Sequence, residues 1–177
     1  MILKTESYNL KARSGFTFIE ILLYVVIVSV IFGAIVAFID VALRSRVRHE
    51  VVGEVERGGN AAMSVIAQAI RNARSVTSPA ASSTATSLTI VMPDANISPT
   101  VFDLFDGAIR MSMRGLSTTT ITSSRLTASS ISFTNLSRTG TPGSIRFQFV
   151  LDYANPDGIP EYTFSDHFIG GASLRNN

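Results

Sequence analysis

A single block of 24 apolar residues constrains this chain more than any other feature. Residues 16–39 read FTFIEILLYVVIVSVIFGAIVAFI, and Glu20 and the phenol of Tyr24 are their only ionisable groups. A helix of this length rises by about 1.5 Å per residue and reaches roughly 36 Å. Because the hydrocarbon core of a membrane is about 30 Å thick, the block predicts a membrane-spanning helix over residues 16–39.

The segment before this block is basic and ends in a small residue. Its charged residues are Lys4, Glu6, Lys11 and Arg13. A secretory signal peptide carries its small-residue cleavage site after the apolar stretch, whereas here Gly15 lies before it. Cleavage after Gly15 would remove residues 1–15 as a leader and leave the apolar helix on the mature chain, beginning at Phe16. The positive-inside tendency then assigns the leader to the cytoplasm and the remaining chain to the other side.

The charge of the mature chain argues against bulk electrostatic binding. The full sequence is 46% apolar and 16% charged, with a net charge of +2. The leader accounts for that excess, because 12 arginines and 12 acidic residues remain from Phe16 onward. A general attraction to nucleic acid therefore has no basis in net charge. The chain has no cysteine, which excludes a disulfide framework and a thiolate metal site.

Glu20 is an acid placed one turn inside the apolar block. A carboxylate at hydrocarbon depth costs about 2.5 to 3.5 kcal/mol on insertion scales, so we expect it to have a partner. Cleavage after Gly15 would create a free amine on Phe16, four residues before Glu20, in the same chain or in a neighbouring one. The first turn also presents unpaired amides and the positive end of the helix dipole. The alternative is a single-pass anchor with an incidental acid.

The string GFTFIE, from Gly15 to Glu20, resembles the prepilin cleavage and N-methylation motif of type IV pilins and type II secretion pseudopilins. The resemblance covers roughly residues 11–45. It implies cleavage after Gly15 by a membrane prepilin peptidase and methylation of the Phe16 amine. It also implies storage as a single-pass protein in the inner (cytoplasmic) membrane with the head extracytoplasmic. Assembly with other pilin or pseudopilin subunits into a pilus or periplasmic pseudopilus would follow, with Glu20 facing the neighbouring Phe16 terminus.

The same resemblance indicates a structural subunit. The chain departs from the family pattern in two ways: Ala37 stands where many pilins carry proline, and the C-terminal cysteine pair of many pilins is missing. The ending of the chain, residues 174–177, looks similar to that of minor J-type or W-type subunits with large β heads. His49 and His167 are isolated, and no nucleophile or phosphate-loop pattern occurs. We therefore expect no enzyme activity, no cofactor and no small-molecule substrate.

Helical periodicity continues beyond the membrane segment, over residues 40–77. Val41, Val47, Val51, Val52 and Val55 lie on or near one stripe. The adjacent Gly58 and Gly59 each cost roughly 1 kcal/mol in a helix, so they predict a bend or break. A second helical stretch, 61–76, then places its apolar residues toward a core: Ala62, Val65, Ile66, Ala69, Ile70 and Ala73. Residues 77–87 read as a loop.

The remaining segment, 78–177, changes to a period of two, which predicts strands of a globular head. The alternating sets are Leu88, Ile90 and Met92; Ile109, Met111 and Met113; Ile131 and Phe133; Ile145, Phe147 and Phe149; Tyr162 and Phe164. Turn signals at Asp106-Gly107 and at 141–143 indicate an antiparallel sheet. The predicted class is therefore α+β and pilin-like: a long N-terminal helix, membrane-spanning and then amphipathic, packed against an antiparallel β-sheet head.

Residues 108–148 contain arginines but no acid. The arginines are Arg110, Arg114, Arg125, Arg138 and Arg146. One interpretation is an anion-binding face of Arg110, Arg114 and Arg146 that contacts DNA phosphates in a competence pilin. Aromatic residues suited to base stacking are few here, so a solvated sheet face is the preferred interpretation.

Oxygen-bearing side chains cluster in the loop of residues 152–161. Asp152, Asn155, Asp157 and Glu161 are candidate calcium ligands, since calcium takes six to eight oxygens. Tyr153 occupies a position where a regular calcium loop would carry an acid. A plain hairpin turn without metal is therefore the preferred interpretation.

Overall fold

The computed structural model describes residues 15, 17–114, 116, 118–138 and 143–175. Within these residues one long helix precedes nine strands and a short 3-10 helix. The elements are α1 (Phe18–Asn72), β1 (Ser75–Ser78), β2 (Thr84–Ala85), β3 (Leu88–Val91), β4 (Thr100–Phe105), β5 (Ala108–Met113), β6 (Thr119–Thr120), β7 (Leu126–Asn135), β8 (Ser144–Tyr153), the 3-10 helix (Pro160–Tyr162) and β9 (Ser165–Ser173). This architecture confirms the predicted α+β class with a long N-terminal helix.

The chain divides after Leu43 into two compact units. In the first unit, every large apolar side chain from Phe18 to Leu43 is between 45% and 78% exposed. Among the described residues, α1 is the one helix long and apolar enough to cross a membrane, and the section that meets this criterion is not buried. A helix with this much exposed apolar surface needs another apolar environment to cover it.

In the second unit, α1 buries one narrow stripe of side chains. The buried positions are Val51, Val55, Gly59, Ala62, Ile66 and Ile70. Their spacing of three and four residues follows one face of the helix. The predicted stripe was too wide, since Val41 and Val65 are exposed and Val47 and Val52 are half-buried. Val52 and Val65 each lie one residue from a buried position, which turns them by about 100° away from the core.

The helix is continuous through Gly58 and Gly59, so the predicted bend or break was wrong. A Cβ atom at Gly58 would overlap Leu126, and one at Gly59 would overlap the ring of Phe168. The glycines therefore allow the sheet to approach the helix backbone closely. Each glycine costs roughly 1 kcal/mol, whereas burying a Leu or Phe side chain contributes about 1.5 to 3 kcal/mol, so the packing outweighs the low helix propensity.

The helix ends at Asn72, earlier than the predicted boundary at residues 76–77. Ser75–Ser78 instead form β1, which pairs antiparallel with β3. The Arg74 N–H donates to the Val91 carbonyl at 2.7 Å and brings the chain into this pairing. Part of the predicted loop 77–87 is also strand, because Thr84–Ala85 pair with β7. Serine and β-branched residues favour this extended backbone over a further helical turn.

The strands form two antiparallel sheets rather than the single sheet predicted. One has the order β1-β3-β4-β5-β6, and the other has the order β2-β7-β8-β9. The predicted alternation is confirmed in β3, β7 and β8, where inward residues such as Ile90, Phe133 and Phe147 are fully or almost fully buried. The Asp106-Gly107 turn is also confirmed. Both residues have positive φ, 51° and 69°, as a two-residue hairpin turn requires.

The prediction of a strand containing Tyr162 and Phe164 was wrong. Tyr162 lies in the 3-10 helix Pro160–Tyr162, and β9 begins at Ser165. Proline has no N–H to donate to a strand ladder, which favours the helical turn at Pro160. The strand that follows buries Phe168, Ala172 and the adjoining Leu174. Its two glycines, Gly170 and Gly171, weakened the alternating signal in the sequence.

Candidate functional site: the first turn of the long helix

A threonine cap defines the start of α1. The Glu20 N–H donates to the Thr17 carbonyl at 3.0 Å and lies 3.4 Å from Thr17 Oγ1, and the Ile21 N–H donates to the same carbonyl at 3.2 Å. Thr17 and Glu20 have the spacing of a capping box, in which the threonine oxygen accepts from the third helical amide. The helix therefore begins at Phe18, three residues after Gly15, where cleavage is predicted. Gly15 is exposed and lies outside the helix, and Phe16 and residues 1–14 lie outside the described residues.

The Glu20 carboxylate has one hydrogen-bond donor in its own helix. The Tyr24 hydroxyl, one turn further along, donates to Glu20 Oε1 at 3.4 Å. Sequence reasoning missed this role of Tyr24, although the i,i+4 spacing of the two residues could have revealed it. The phenol supplies part of the solvation that a carboxylate loses in an apolar environment.

The surroundings of Glu20 are otherwise apolar. A surface pocket beside the carboxylate is lined by Thr17, Ile19, Leu22, Leu23 and Val26. No Lys, Arg or His occurs in the sequence from Gly15 to Leu43, so side chains of this segment supply no positive charge for the acid. The carboxylate is only half-buried, which leaves it accessible to a cationic group from another part of the chain or from another molecule.

Ser29, a polar side chain further along this segment, is satisfied locally. The Ser29 hydroxyl donates to the Val25 carbonyl at 2.7 Å. Inside a helix, a serine hydroxyl commonly satisfies its hydrogen-bond donor in this way, by bonding to the carbonyl four residues earlier. Glu20 differs from Ser29, since a carboxylate has no proton to donate to a backbone carbonyl and needs donors instead.

Arg110 is held by an acid and an aromatic ring. Its Nε and one terminal nitrogen donate to the two Asp103 oxygens at 3.0 and 2.8 Å, and its guanidinium carbon lies 4.1 Å from the centre of the Phe105 ring. The hydrogen bond to Asp103 raises the pKa of Arg110. Asp103 lies on the neighbouring strand β4, outside the acid-free segment 108–148. The charge of Arg110 is therefore balanced by an acid that does not belong to that segment.

The three arginines proposed for DNA do not lie in one sheet. Arg110 is in β5 and Arg114 follows that strand, whereas Arg146 is in β8 of the four-stranded sheet. Arg114 and Arg146 are exposed. Since Asp103 neutralises Arg110, the charge asymmetry behind the DNA interpretation is smaller than the sequence indicates.

Two of the four candidate calcium ligands, Asn155 and Glu161, have other partners. Asn155 Nδ2 donates to the Ile159 carbonyl at 2.7 Å and to Thr163 Oγ1 at 3.1 Å, while its Oδ1 accepts from the Ile159 N–H at 3.0 Å. Glu161 pairs with Arg44 at 3.1 Å. Asp152 lies in β8 and the exposed Asp157 lies in the turn. In the described part of the chain, no group of three or more His, Cys, Asp or Glu side chains could hold a metal ion.

Comparison with known proteins leaves the family open. No protein-family model matches the chain. Searches against curated proteins and against solved structures give no significant match. The residues at the start of α1 are therefore the basis on which a function can be assigned.

Proposed function

We propose that the chain is a structural subunit of a type IV pilus or type II secretion filament, a minor pilin or pseudopilin assembled through its N-terminal helix. The observation that carries the proposal is Glu20, a carboxylate in the first turn of an exposed apolar helix. Its own segment supplies a phenol as donor but no cation. In a bundle of such helices, the acid needs a positive group from a defined position.

The chemistry of the predicted cleavage supplies that group. Cutting after Gly15 gives Phe16 a terminal ammonium, and the exposed Gly15 lies just before the capped helix start. One amine and one carboxylate per subunit can specify the axial register of packed helices, because a slip leaves a buried charge unpaired. Removing one partner of a buried ion pair costs about 3 to 5 kcal/mol, which is large enough to select one stagger.

The membrane arrangement follows from the same segment. Before assembly, the apolar part of α1 crosses the inner membrane, with the basic leader in the cytoplasm and the β-rich head outside the cytoplasm. Extraction into the filament moves the exposed apolar side chains from lipid to neighbouring helices. Partners are thus other subunits and a prepilin peptidase, and the role is structural rather than enzymatic.

Mass spectrometry of the N-terminal peptide tests the proposal directly. In cells that carry a prepilin peptidase, we expect the mature chain to begin at Phe16 with a methylated amine. A Gly15→Val variant is the matched control, because it keeps the helix and the charges but places a β-branched residue at the cleavage site, and we expect it to retain the leader. A wild-type chain that begins at Met1 in such cells would identify a simple membrane-anchored domain instead.

A further inference from the structure

A surface cavity of about 680 Å³ lies at the C-terminal end of α1. Among the described residues, three arginines from two parts of the chain line it: Arg71 in the last turn of α1, Arg74 before β1 and Arg175 after β9. Their side chains are exposed. The cavity belongs to the second unit and is independent of the helix start.

Backbone hydrogen bonds hold these three positions together. The Arg74 N–H donates to Val91 at 2.7 Å, and the Arg175 N–H donates to the Arg71 carbonyl at 3.3 Å. The residue before Arg175 is the buried Leu174, whose N–H donates to the Gly143 carbonyl at 2.7 Å. Arg71 and Arg74 are therefore neighbours in the sequence, whereas tertiary structure brings Arg175 to them.

The charge around the cavity is unbalanced. Among the described residues, Asp94 is the acid that lines it. Its Oδ1 already accepts from the Asn96 N–H at 2.9 Å and from Asn96 Nδ2 at 3.0 Å. None of the three arginine side chains forms an ion pair with an acid in the described part of the chain. Gathering like charges without counterions is unfavourable, so an anionic ligand would relieve the repulsion.

The helix dipole explains only part of this arrangement. A cation in the last turn of a helix is stabilised by the negative C-terminal end, which accounts for Arg71. The Arg175 N–H satisfies one of the carbonyls that lack a partner at this end. Neither effect accounts for Arg74 and Arg175, which lie outside the helix and line the same cavity.

The lining also suits an organic ligand. Guanidinium groups bind phosphate and carboxylate oxygens through paired hydrogen bonds. Met92, Pro93 and Ile97 supply an apolar wall, and the volume lies within the range of about 300 to 1,000 Å³ typical of small-molecule sites. We infer that this cavity binds a small organic anion, with its phosphate or carboxylate group held by Arg71, Arg74 and Arg175 and its body against the apolar wall. This goes beyond the sequence-based expectation of no small-molecule substrate.

Titration of the detergent-solubilised full chain at about 150 mM salt tests this site. AMP and citrate are the phosphate and carboxylate probes, and inorganic phosphate tests the anionic group alone. We expect AMP or citrate to bind more tightly than inorganic phosphate, because only they have a body that reaches the apolar wall. Arg74→Gln or Arg175→Gln should weaken binding at least tenfold, which corresponds to about 1.4 kcal/mol, because a charge-assisted pair of hydrogen bonds is lost.

Two further variants distinguish binding at the cavity from a general effect of positive charge on the protein surface. Arg125→Gln removes the same charge from an exposed position outside the cavity and should leave binding unchanged. Arg74→Lys keeps the charge but loses the paired geometry, so its affinity should fall between wild type and Arg74→Gln. Unfolding temperatures of all variants should match, which confirms intact folding.

Absence of binding by AMP and citrate, or an equal loss of affinity in Arg125→Gln, would overturn the inference. So would tight binding of single-stranded DNA that depends on Arg114 and Arg146 while all three small anions fail to bind.

Discussion

The backbone of Gly59 in α1 lies against the aromatic ring of Phe168 in β9, so closely that a Cβ atom at position 59 would overlap the ring. Gly58 has the same relationship to Leu126. These contacts show why two glycines persist inside a continuous helix. They also make the helix-to-sheet packing of the second unit open to a direct test.

Gly59→Ala should destabilise the protein by about 1 to 3 kcal/mol, because the Phe168 ring must move to admit the methyl group. Gly53→Ala is the matched control in the same helix, since a Cβ atom there meets nothing within 4 Å. It should stabilise the protein by roughly 0.5 to 1 kcal/mol through better helix propensity. Denaturant unfolding of the full chain in detergent measures both values. Equal effects of the two substitutions would contradict the close packing at Gly59.

Glu20→Ala should permit cleavage after Gly15 but lower incorporation into filaments, because the proposed partner of the Phe16 ammonium is removed. We expect at least a tenfold loss from sheared filaments, given the several kcal/mol carried by a buried charge pair. Quantitative immunoblotting of filament and membrane fractions measures it. Glu50→Ala, on the exposed part of α1, is the control and should assemble normally. Unchanged incorporation of the Glu20 variant would remove the register argument.

Tyr24→Phe should lower the amount of protein that accumulates in the membrane, since the Glu20 carboxylate loses its phenol donor. At 3.4 Å this hydrogen bond is longer than a usual O–H···O bond, so we expect a contribution of about 0.5 to 1.5 kcal/mol. The effect should disappear in a Glu20→Gln background, where no carboxylate needs the donor. A double-mutant cycle on membrane-fraction levels therefore reports the coupling of the two residues. Equal losses in both backgrounds would show that Tyr24 acts through packing alone.

Arg110→Ala should lower the unfolding temperature of the protein, because it removes the paired hydrogen bonds to Asp103 and the contact with Phe105. Arg114→Ala, at an exposed position just after the same strand, should leave the unfolding temperature close to that of wild type. Thermal unfolding followed by circular dichroism measures the difference. If Arg110→Ala instead left stability unchanged and reduced DNA retention, the arginine-face alternative would gain support.

Asn155→Ala should loosen the loop between β8 and β9 and cost about 1 kcal/mol, because three hydrogen bonds within the loop are lost. Asp157→Ala, in the exposed turn of the same loop, should have little effect. Adding calcium to the full chain should not change its unfolding temperature. A clear rise with calcium that Asp157→Ala abolishes would restore the metal-site interpretation.

Local patterns in the sequence were sufficient for several elements of this fold. The apolar block with Glu20, the alternation in β3, β7 and β8, and the Asp106-Gly107 turn depend on residues close together in the chain. Composition and periodicity report such features directly. The Thr17 cap and the Tyr24 donor are equally local, so their sequence spacing contains the signal even though the predictions did not use it.

Tertiary structure decided the features that join distant residues. The helix continues at Gly59 because Phe168 packs there, and the charge of Arg110 is balanced because β4 supplies Asp103. The cavity at the end of α1 exists because strand pairing brings Arg175 beside Arg71. None of these contacts produces a periodic pattern in the sequence.

By itself, the sequence determined an apolar helix with one acid in its first turn and an alternating β region, because local chemistry specifies both. Only the packed chain decided which glycines, arginines and strand edges come together, because their energies depend on neighbours far away in the sequence.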